Sequence, residues 1–482
     1  MASAAVPQGA FMVASPYGRH AIGLAVAAAV GGFLFGFDSS VINGAVDSIH
    51  SDFALNDVVT GFVVAIALLG CAVGAMIAGS LADRWGRLRV MFLGAVLFFA
   101  SSIGAALCVT VWDLGLWRVV GGLGIGIASV IAPAYIAEIA PRQIRGGLAS
   151  LQQLAITIGI FLALLSDTVL AGSAGGADEV LWWGMEAWRW MFLVGVVPAT
   201  VYGILSFTVP ESPRHLIARG RSDQAREILS RLVPEADLDR TMSDLRTAIE
   251  ADRTSRSGSL RGKAFGFQPV VWIGIVLSVF QQFVGINVIF YYSTTLWQAV
   301  GFDESDALTT SVITSVTNVV VTIVAILLVD KVGRKPLLLV GSVLMTVSLA
   351  TMALSFSFAE VDAAEVTLPG VWAPVAFIAA NAFVVGFGAS WGPLLWVLLG
   401  EIFPSRIRGK ALGVAAAAQW LANFAVTMTF PALSNWSLPL TYGLYALFAL
   451  LSFFFVMWKI PETKGVELEK TESLFTTLAG AR

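Results

Sequence analysis

The sequence predicts an all-α integral membrane protein whose twelve transmembrane helices form two six-helix bundles joined by a cytoplasmic helical linker. Three observations carry that prediction. Of 482 residues, 57% are apolar and only 13% charged, about half the charge of an ordinary soluble domain. Apolar stretches recur from Ala21 to Trp458, each near the ~20 residues that cross a hydrocarbon core as a helix. The basic residues fall almost wholly on one side of those stretches.

The expected spans are 21–45, 59–80, 89–109, 115–137, 148–169, 188–208, 270–298, 308–329, 336–357, 372–400, 409–431 and 438–458. With the N-terminus in the cytoplasm, 27 of the 29 Lys and Arg residues lie in cytoplasmic segments, eleven of them between Arg214 and Lys263. Sidedness of this kind sets orientation, whereas the net charge of −3 says little. The two exceptions are Arg118, inside the fourth span, and Arg189, at the outer edge of the sixth. Residues 1–18 carry no basic side chain and the first span outlasts a signal core, so that span is expected to remain. Cys71 and Cys108 fall within spans and suggest neither a disulfide framework nor a metal cluster.

Three motifs repeat in order. GSLADRWGRLRV from Gly79 answers to LLVDKVGRKPLL from Leu327; EIAPRQIRG from Glu138 answers to EIFPSRIRG from Glu401; PESPR at Pro210 answers to PETKG at Pro461. Six helices have been duplicated in the same orientation, which places a substrate site between parallel halves. The expected units are 1–209 for the first bundle, 210–268 for the linker, 269–460 for the second bundle and 461–482 for a cytoplasmic tail. Within the linker Ser222 reads as an N-cap. Ser166 to Trp188, with its GSAGGADE run, reads as a flexible outer loop.

These residues, together with QQFVGINVIFYYS from Gln281, SWGPLLWVLLGEIFP from Ser390 and AAAQWLANF from Ala416, resemble the sugar porters of the major facilitator superfamily over nearly the whole chain. The resemblance implies alternating access by rocking of the two bundles.

Asp38 is the only charged residue between Ala21 and Ala45, and an acid inside a span costs on the order of 3 kcal/mol on insertion scales. Its expected partner is Arg118. One reading is a structural ion pair between helices one and four; the sharper one is a proton switch, since a motion that changes their separation changes proton affinity. Proton-coupled sugar porters resemble this chain in having Asp here.

A neutral polyol needs amides and hydroxyls for its hydroxyl groups and an apolar or aromatic wall for its ring. Gln281, Gln282, Asn287, Tyr291 and Tyr292 in span seven, Asn318 in span eight, Trp396 in span ten, and Gln419, Trp420 and Asn423 in span eleven supply both, with Gln153 facing them from span five. In the family, positions matching Gln153, Gln281, Gln282, Asn287, Asn318, Trp396 and Gln419 hold or wall the sugar. The competing reading is interhelical glue, worth about 0.6 kcal/mol per amide. Gln282 and Asn287 lie about 140° apart on a regular helix, so one cavity can receive both only if the helix unwinds near Gly285.

Asp83, Arg84, Arg87, Glu138, Arg145, Glu211, Arg214, Asp330, Arg334, Glu401 and Arg408 cluster at cytoplasmic helix ends. There they resemble the family's gate of salt bridges between the bundles. GGLGIGIAS at Gly121 follows no strand and is no dinucleotide loop; Gly122 with Gly126, and Gly70 with Gly74, read as helix-packing faces. No cofactor, no metal site and no enzyme is expected, and acidic residues interleaved with the linker's bases argue against nucleic acid. The expectation is a monomeric symporter in the cell membrane, both termini cytoplasmic, for a proton and a monosaccharide, D-glucose foremost. Ile160 stands where a Gln would suggest pentose-type contacts. A passive uniporter and a sugar sensor that does not transport remain as alternatives.

Overall fold

The structure, a computed structural model, describes residues 15–141, 145–254, 260–262, 266–362, 365–403 and 407–463. Helix α1 spans Pro16–Val41. The Ser15 hydroxyl accepts from the Gly18 N–H at 3.0 Å, and Pro16 takes a first-turn position where its missing N–H costs nothing. The chain continues through a 3₁₀ turn, Ile42–Gly44, into the short α2, Val46–Asp52. Next come α3 (Asp57–Trp85, capped by Asn56), α4 (Arg87–Ala106), α5 (Val111–Ile139, capped by Thr110) and α6 (Arg145–Ala174). A small hairpin, β1 (Val180–Trp182) with β2 (Met185–Glu186), precedes α7 (Ala187–Val194) and α8 (Val196–Thr208), which share the sixth span.

The linker holds α9 (Pro213–Ala218), α10 (Ser222–Ser230) and α11 (Glu235–Thr254). Leu216, Ala225, Leu229, Leu238 and Met242 give it a small core of its own. Ser222 is the first residue of α10 rather than its cap, a one-residue correction.

In the second half α12 (Pro269–Phe283), α13 (Ile286–Tyr291) and α14 (Ser293–Gln298) occupy one expected span. Then come α15 (Glu304–Val332), α16 (Arg334–Phe356), the hairpin β3 (Glu360–Asp362) and β4 (Glu365–Thr367), α17 (Trp372–Gly388), α18 (Trp391–Ile402) and α19 (Arg408–Lys459). Among the described residues eleven helical runs are long and apolar enough to cross a membrane. The last contains two spans, because Ser437 leaves helical geometry (φ −164°, ψ 106°) between Pro431 and Pro439. Twelve crossings result.

Two expectations are corrected here. Helix α6 runs on through Ser166 to Ala174, and the segment after it is pinned by Ala187 N–H to the Glu179 carbonyl and Trp188 N–H to the Ala177 carbonyl, both 2.9 Å. Glycines and small side chains misled the sequence reading there, whereas the hydrogen bonds come from chain partners. Cys108 lies just beyond the end of α4 rather than in it; both cysteines are buried and free.

The glycine faces pack as their spacing predicts. A Cβ on Gly122 or Gly126 of α5 would strike the carbonyls of Ala67 or Cys71 on α3, and one on Gly70 or Gly74 would strike Val119 or Leu123 in return. With no solvophobic force between helices in lipid, this backbone approach supplies the packing.

The loops rich in Lys and Arg define a basic face; the opposite end is the distal face. At the distal face the halves meet. Asn43 donates to the Thr294 hydroxyl (2.8 Å) while its carbonyl oxygen accepts from the Thr294 N–H (3.0 Å), and the Thr295 hydroxyl donates to Asp47 (2.9 Å). Glu304 accepts from the Ala177 N–H at 2.9 Å. Phe62 of α3 meets Phe424 of α19 edge to face, and Gly61 lies against the Met428 carbonyl.

Gly122→Leu is expected to lower the melting temperature of the purified protein by the equivalent of about 1–3 kcal/mol, the usual cost of overpacking. Gly443→Ala, where a Cβ meets nothing within 4 Å, is the control, and equal melting of the two variants would refute the packing assignment.

Candidate functional site

The Arg118 guanidinium on α5 donates to Asp38 on α1 at 2.8 Å, and both residues are buried, at 3% and 7% exposure. The guanidinium also faces the Phe192 ring at 5.9 Å. Asp38 and Arg118 separate two small cavities. One is lined by Phe98, Ser101, Ser102 and Phe192 of the first half. The other includes Phe35, Ser39, Cys71 and, from the second half, Tyr291. Tyr291 lies beside Ser39 and Asn423, so the cavity beside the charged pair reaches the end of α13 across the bundle interface.

The expected helix break exists. Gly285 adopts φ +81°, a left-handed conformation that a side chain would strain, and separates α12 from α13. The break turns Asn287 back toward Gln282, whose side-chain oxygen accepts from it at 2.5 Å. Gln282 in turn donates to Gln281 at 3.2 Å, and Gln419 of α19 donates to the same Gln281 oxygen at 2.7 Å. Gln281 closes the chain by donating to the Trp391 carbonyl at 3.0 Å. Four amides from three helices, α12, α13 and α19, thus form one continuous polar strip in an apolar interior. Gln281 and Gln282 are buried, Asn287 and Gln419 half-buried, and the Gln419 side-chain oxygen has no partner among the described residues. Amides linked in this way present their remaining donors and acceptors in a fixed order.

Asn318 is buried on α15 beside Gly388, and Trp420 packs edge to face with Phe35 at 5.4 Å. Gln153 is half-buried on α6, and Trp396 is 43% exposed on α18. Tyr292 departs from expectation. It is fully buried, its hydroxyl donates to the Thr427 carbonyl at 2.9 Å and its ring lies 5.0 Å from Phe430. It packs α13 against α19 and takes no part in the amide strip.

At the basic face the repeated motifs form the same device twice. Gly86 and Gly333 (φ +95° and +108°) turn the chain sharply into α4 and α16. Glu211 accepts from the backbone N–H groups of Arg87 and Leu88 (3.0 and 3.4 Å), and Glu462 accepts from those of Arg334 and Lys335 (both 3.0 Å). A carboxylate at a helix N-terminus satisfies orphan donors and opposes the helix dipole. Glu138 grips the Arg87 guanidinium at 2.9 and 3.1 Å, and Glu401 grips Arg334 at 3.0 Å. Asp83 adds a contact to Arg87 at 3.3 Å. Arg84 is exposed, and its carbonyl accepts from Arg219.

These pairs stay within one half, because the glycine turn delivers each Arg to the adjacent helix end of its own repeat. Arg214 lies in the first turn of α9, and the side chains of Arg145, Asp330 and Arg408 fall outside the described residues. Sequence reading missed Glu462, the counterpart of Glu211 in the PES/PET repeat. It also missed the polar seal of Asn43, Asp47, Thr294 and Thr295, and the buried Asp167.

Asp47 lies beyond the first span. Burial pushes its carboxyl up to about 6, with Glu304 adding to the rise while the Thr295 hydroxyl and His50 pull down. Opening the seal hydrates the acid and returns it toward 3.8. The proton's contribution to the seal is therefore full below that ordinary value and lost as pH rises through about 6. Labelling of a distal-face cysteine is expected to slow on acidification across this window, and Asp47→Asn is expected to flatten the response; an unchanged profile would refute it.

The chain matches the family described as "Sugar (and other) transporter" over residues 24–475. It is 50% identical to the "Glucose transport protein" of Synechocystis sp., covering 92% of this chain and 95% of that one. It is 37% identical to the "D-xylose-proton symporter" of Escherichia coli (strain K12), over 94% and 95%. Among solved structures it is similar to the proton:xylose symporter XylE bound to 6-bromo-6-deoxy-D-glucose (TM-score 0.79, 36% identity, 95% and 99% covered). It is similar also to the inward open conformation of XylE from E. coli (TM-score 0.80, 35% identity, 94% and 99% covered). A duplicated six-helix architecture, twin basic-face motifs and whole-length similarity agree that this chain belongs to the sugar transporter family of the major facilitator superfamily.

Proposed function

We propose that the chain is a proton-coupled symporter for a monosaccharide, D-glucose foremost, in which Asp38 carries the proton and Arg118 is its counter-charge. The observation that supports it best is the buried Asp38–Arg118 pair at 2.8 Å, bordering a cavity that reaches Tyr291 beside the broken helix. Burying an ion pair between α1 and α5 costs desolvation of both charges, and a purely structural contact gains little from that. A proton on Asp38 cancels its half of the pair and frees Arg118, which alters what holds α1 against α5 and what Tyr291 meets at Ser39. The 50% identity to a protein named for glucose transport supports the choice of sugar.

Sugar hydroxyls bind along the strip of Gln281, Gln282, Asn287 and Gln419, with Gln153 and Asn318 completing the polar set and Trp396 and Trp420 walling the ring. The strip joins α12 and α13 to α19, so a sugar that engages it ties the parts of the broken helix together and favours closure over the site. The basic face is cytoplasmic, with both termini there, and the carrier works as a monomer in the cell membrane. Asp83, Arg84, Arg87, Glu138, Arg145, Glu211, Arg214, Asp330, Arg334, Glu401 and Arg408 act as the cytoplasmic gate. Their intra-half clusters fix the helix ends that must meet when that face closes. A membrane potential of about 100 mV supplies roughly 2.3 kcal/mol per proton, enough for about 50-fold accumulation.

The test is uptake of labelled sugars into proteoliposomes under an imposed pH gradient. The wild type is expected to accumulate glucose, and Asp38→Asn to keep sugar exchange while losing uphill uptake. Accumulation by Asp38→Asn would overturn the proton assignment, downhill uptake alone in the wild type would indicate a uniporter, and binding without any flux a sensor. Gln282→Ala is expected to weaken sugar binding at least tenfold, because it interrupts the strip at its centre; an unchanged affinity would remove the strip from the site.

A further inference from the structure

A second acid lies inside the first bundle. Asp167, on α6, is 0% exposed, and neither carboxyl oxygen has a hydrogen-bond partner among the described residues. The backbone amide of Gly44 is the polar group beside it. The contrast with Asp38 is plain: one buried acid has a guanidinium at 2.8 Å, and the other has none. The charges on the elements around Asp167 are committed elsewhere. On α7 Arg189 binds Glu186 at 2.7 Å and the Ala106 and Cys108 carbonyls at 3.2 and 2.7 Å. On α5 Arg118 holds Asp38, and on α15 Glu304 accepts from Ala177. A carboxylate in such a place has one backbone amide beside it and no counter-charge, whereas a neutral acid needs no counter-charge.

Position gives the acid a role. A Cβ added to Gly44 would lie 2.8 Å from the Asp167 Cβ, 3.0 Å from its Cγ and 2.9 Å from the Met191 sulfur, so nothing separates the carboxyl from the 3₁₀ turn Ile42–Gly44. That same turn carries Asn43, whose side chain pairs twice with Thr294 of the other half. Asp167 is therefore covered by the same segment that holds the distal seal.

We propose that Asp167 is a second protonation site, which takes a proton from the solution at the distal face as the seal forms and returns it as the seal opens. This rests on the reading of the chain as an alternating-access carrier, and it is separate from the proton carried by Asp38. Acid at the distal face then drives the seal shut by up to one proton's linkage, about tenfold in the closed-to-open ratio per pH unit.

Two measurements on the full chain test it without sugar, so a failure of the transport reading cannot be mistaken for a failure of this one. Infrared spectra at neutral pH are expected to show the carbonyl band of a protonated carboxylic acid. That band should survive Asp38→Asn and Asp47→Asn, vanish in Asp167→Asn and shift in Asp167→Glu. Spin labels on the distal ends of α3 and α19 report the closed fraction, which should rise less steeply on acidification in Asp167→Asn than in the wild type. An infrared band unmoved by both Asp167 variants, or an Asp167→Asn slope equal to the wild type, overturns the proposal. Should Asp167→Asn fold poorly, the Asp167→Glu band shift alone decides.

Discussion

Hydrocarbon offers no hydrogen bonds, and two departures from a simple apolar helix in this protein, the break at Gly285 and the charge on Asp38, are answered by other parts of the chain. The break at Gly285 frees backbone groups in the middle of a span, and the surrounding amides and buried tyrosines of α12, α13 and α19 occupy that region. Irregular backbone at membrane depth is tolerated where it lines an internal cavity. The same constraint explains why Asp38 is found with Arg118: neither could remain in its span alone. Asp167 is the exception that the described structure leaves unanswered by any cation.

Duplication accounts for the two ends of the molecule differing in kind. At the basic face each half repeats one cluster, with Glu211, Arg87 and Glu138 answered by Glu462, Arg334 and Glu401. The pairs in these clusters join residues of one half, so a bundle that moves as a unit keeps its own helix junctions. At the distal face the contacts are not repeated and run between halves, through Asn43, Asp47, Thr294 and Thr295. Rigidity within halves and a separable polar seal between them are what a rocking motion requires.

The candidate proton pair and the candidate sugar strip belong to different halves yet share a border. Asp38 and Arg118 are held by α1 and α5, the amides by α12, α13 and α19, and Tyr291 stands where the cavity beside Asp38 meets the broken helix. Coupling between two ligands needs an element whose arrangement both of them bias. α13, flanked by Gly285 on one side and by the non-helical Tyr292 on the other, carries both Asn287 of the strip and Tyr291 of the cavity.

The sequence by itself determined the twelve crossings, the duplication, the glycine faces of α3 and α5, the pairing of Asp38 with Arg118 and the break at Gly285. Each of these follows from local rules: span length, charge sidedness, small-residue spacing, the expense of a lone buried charge, and the 100° step between helical residues. Only the tertiary structure decided that Tyr292 packs rather than lines the strip, that the charged motifs pair within halves, and that α6 continues through Ser166 to carry Asp167 under the Ile42–Gly44 turn. Those outcomes depend on which neighbour a side chain meets across a bundle. Residues such as Asn43 and Thr294, 251 positions apart in the chain, come together only because two folded halves touch.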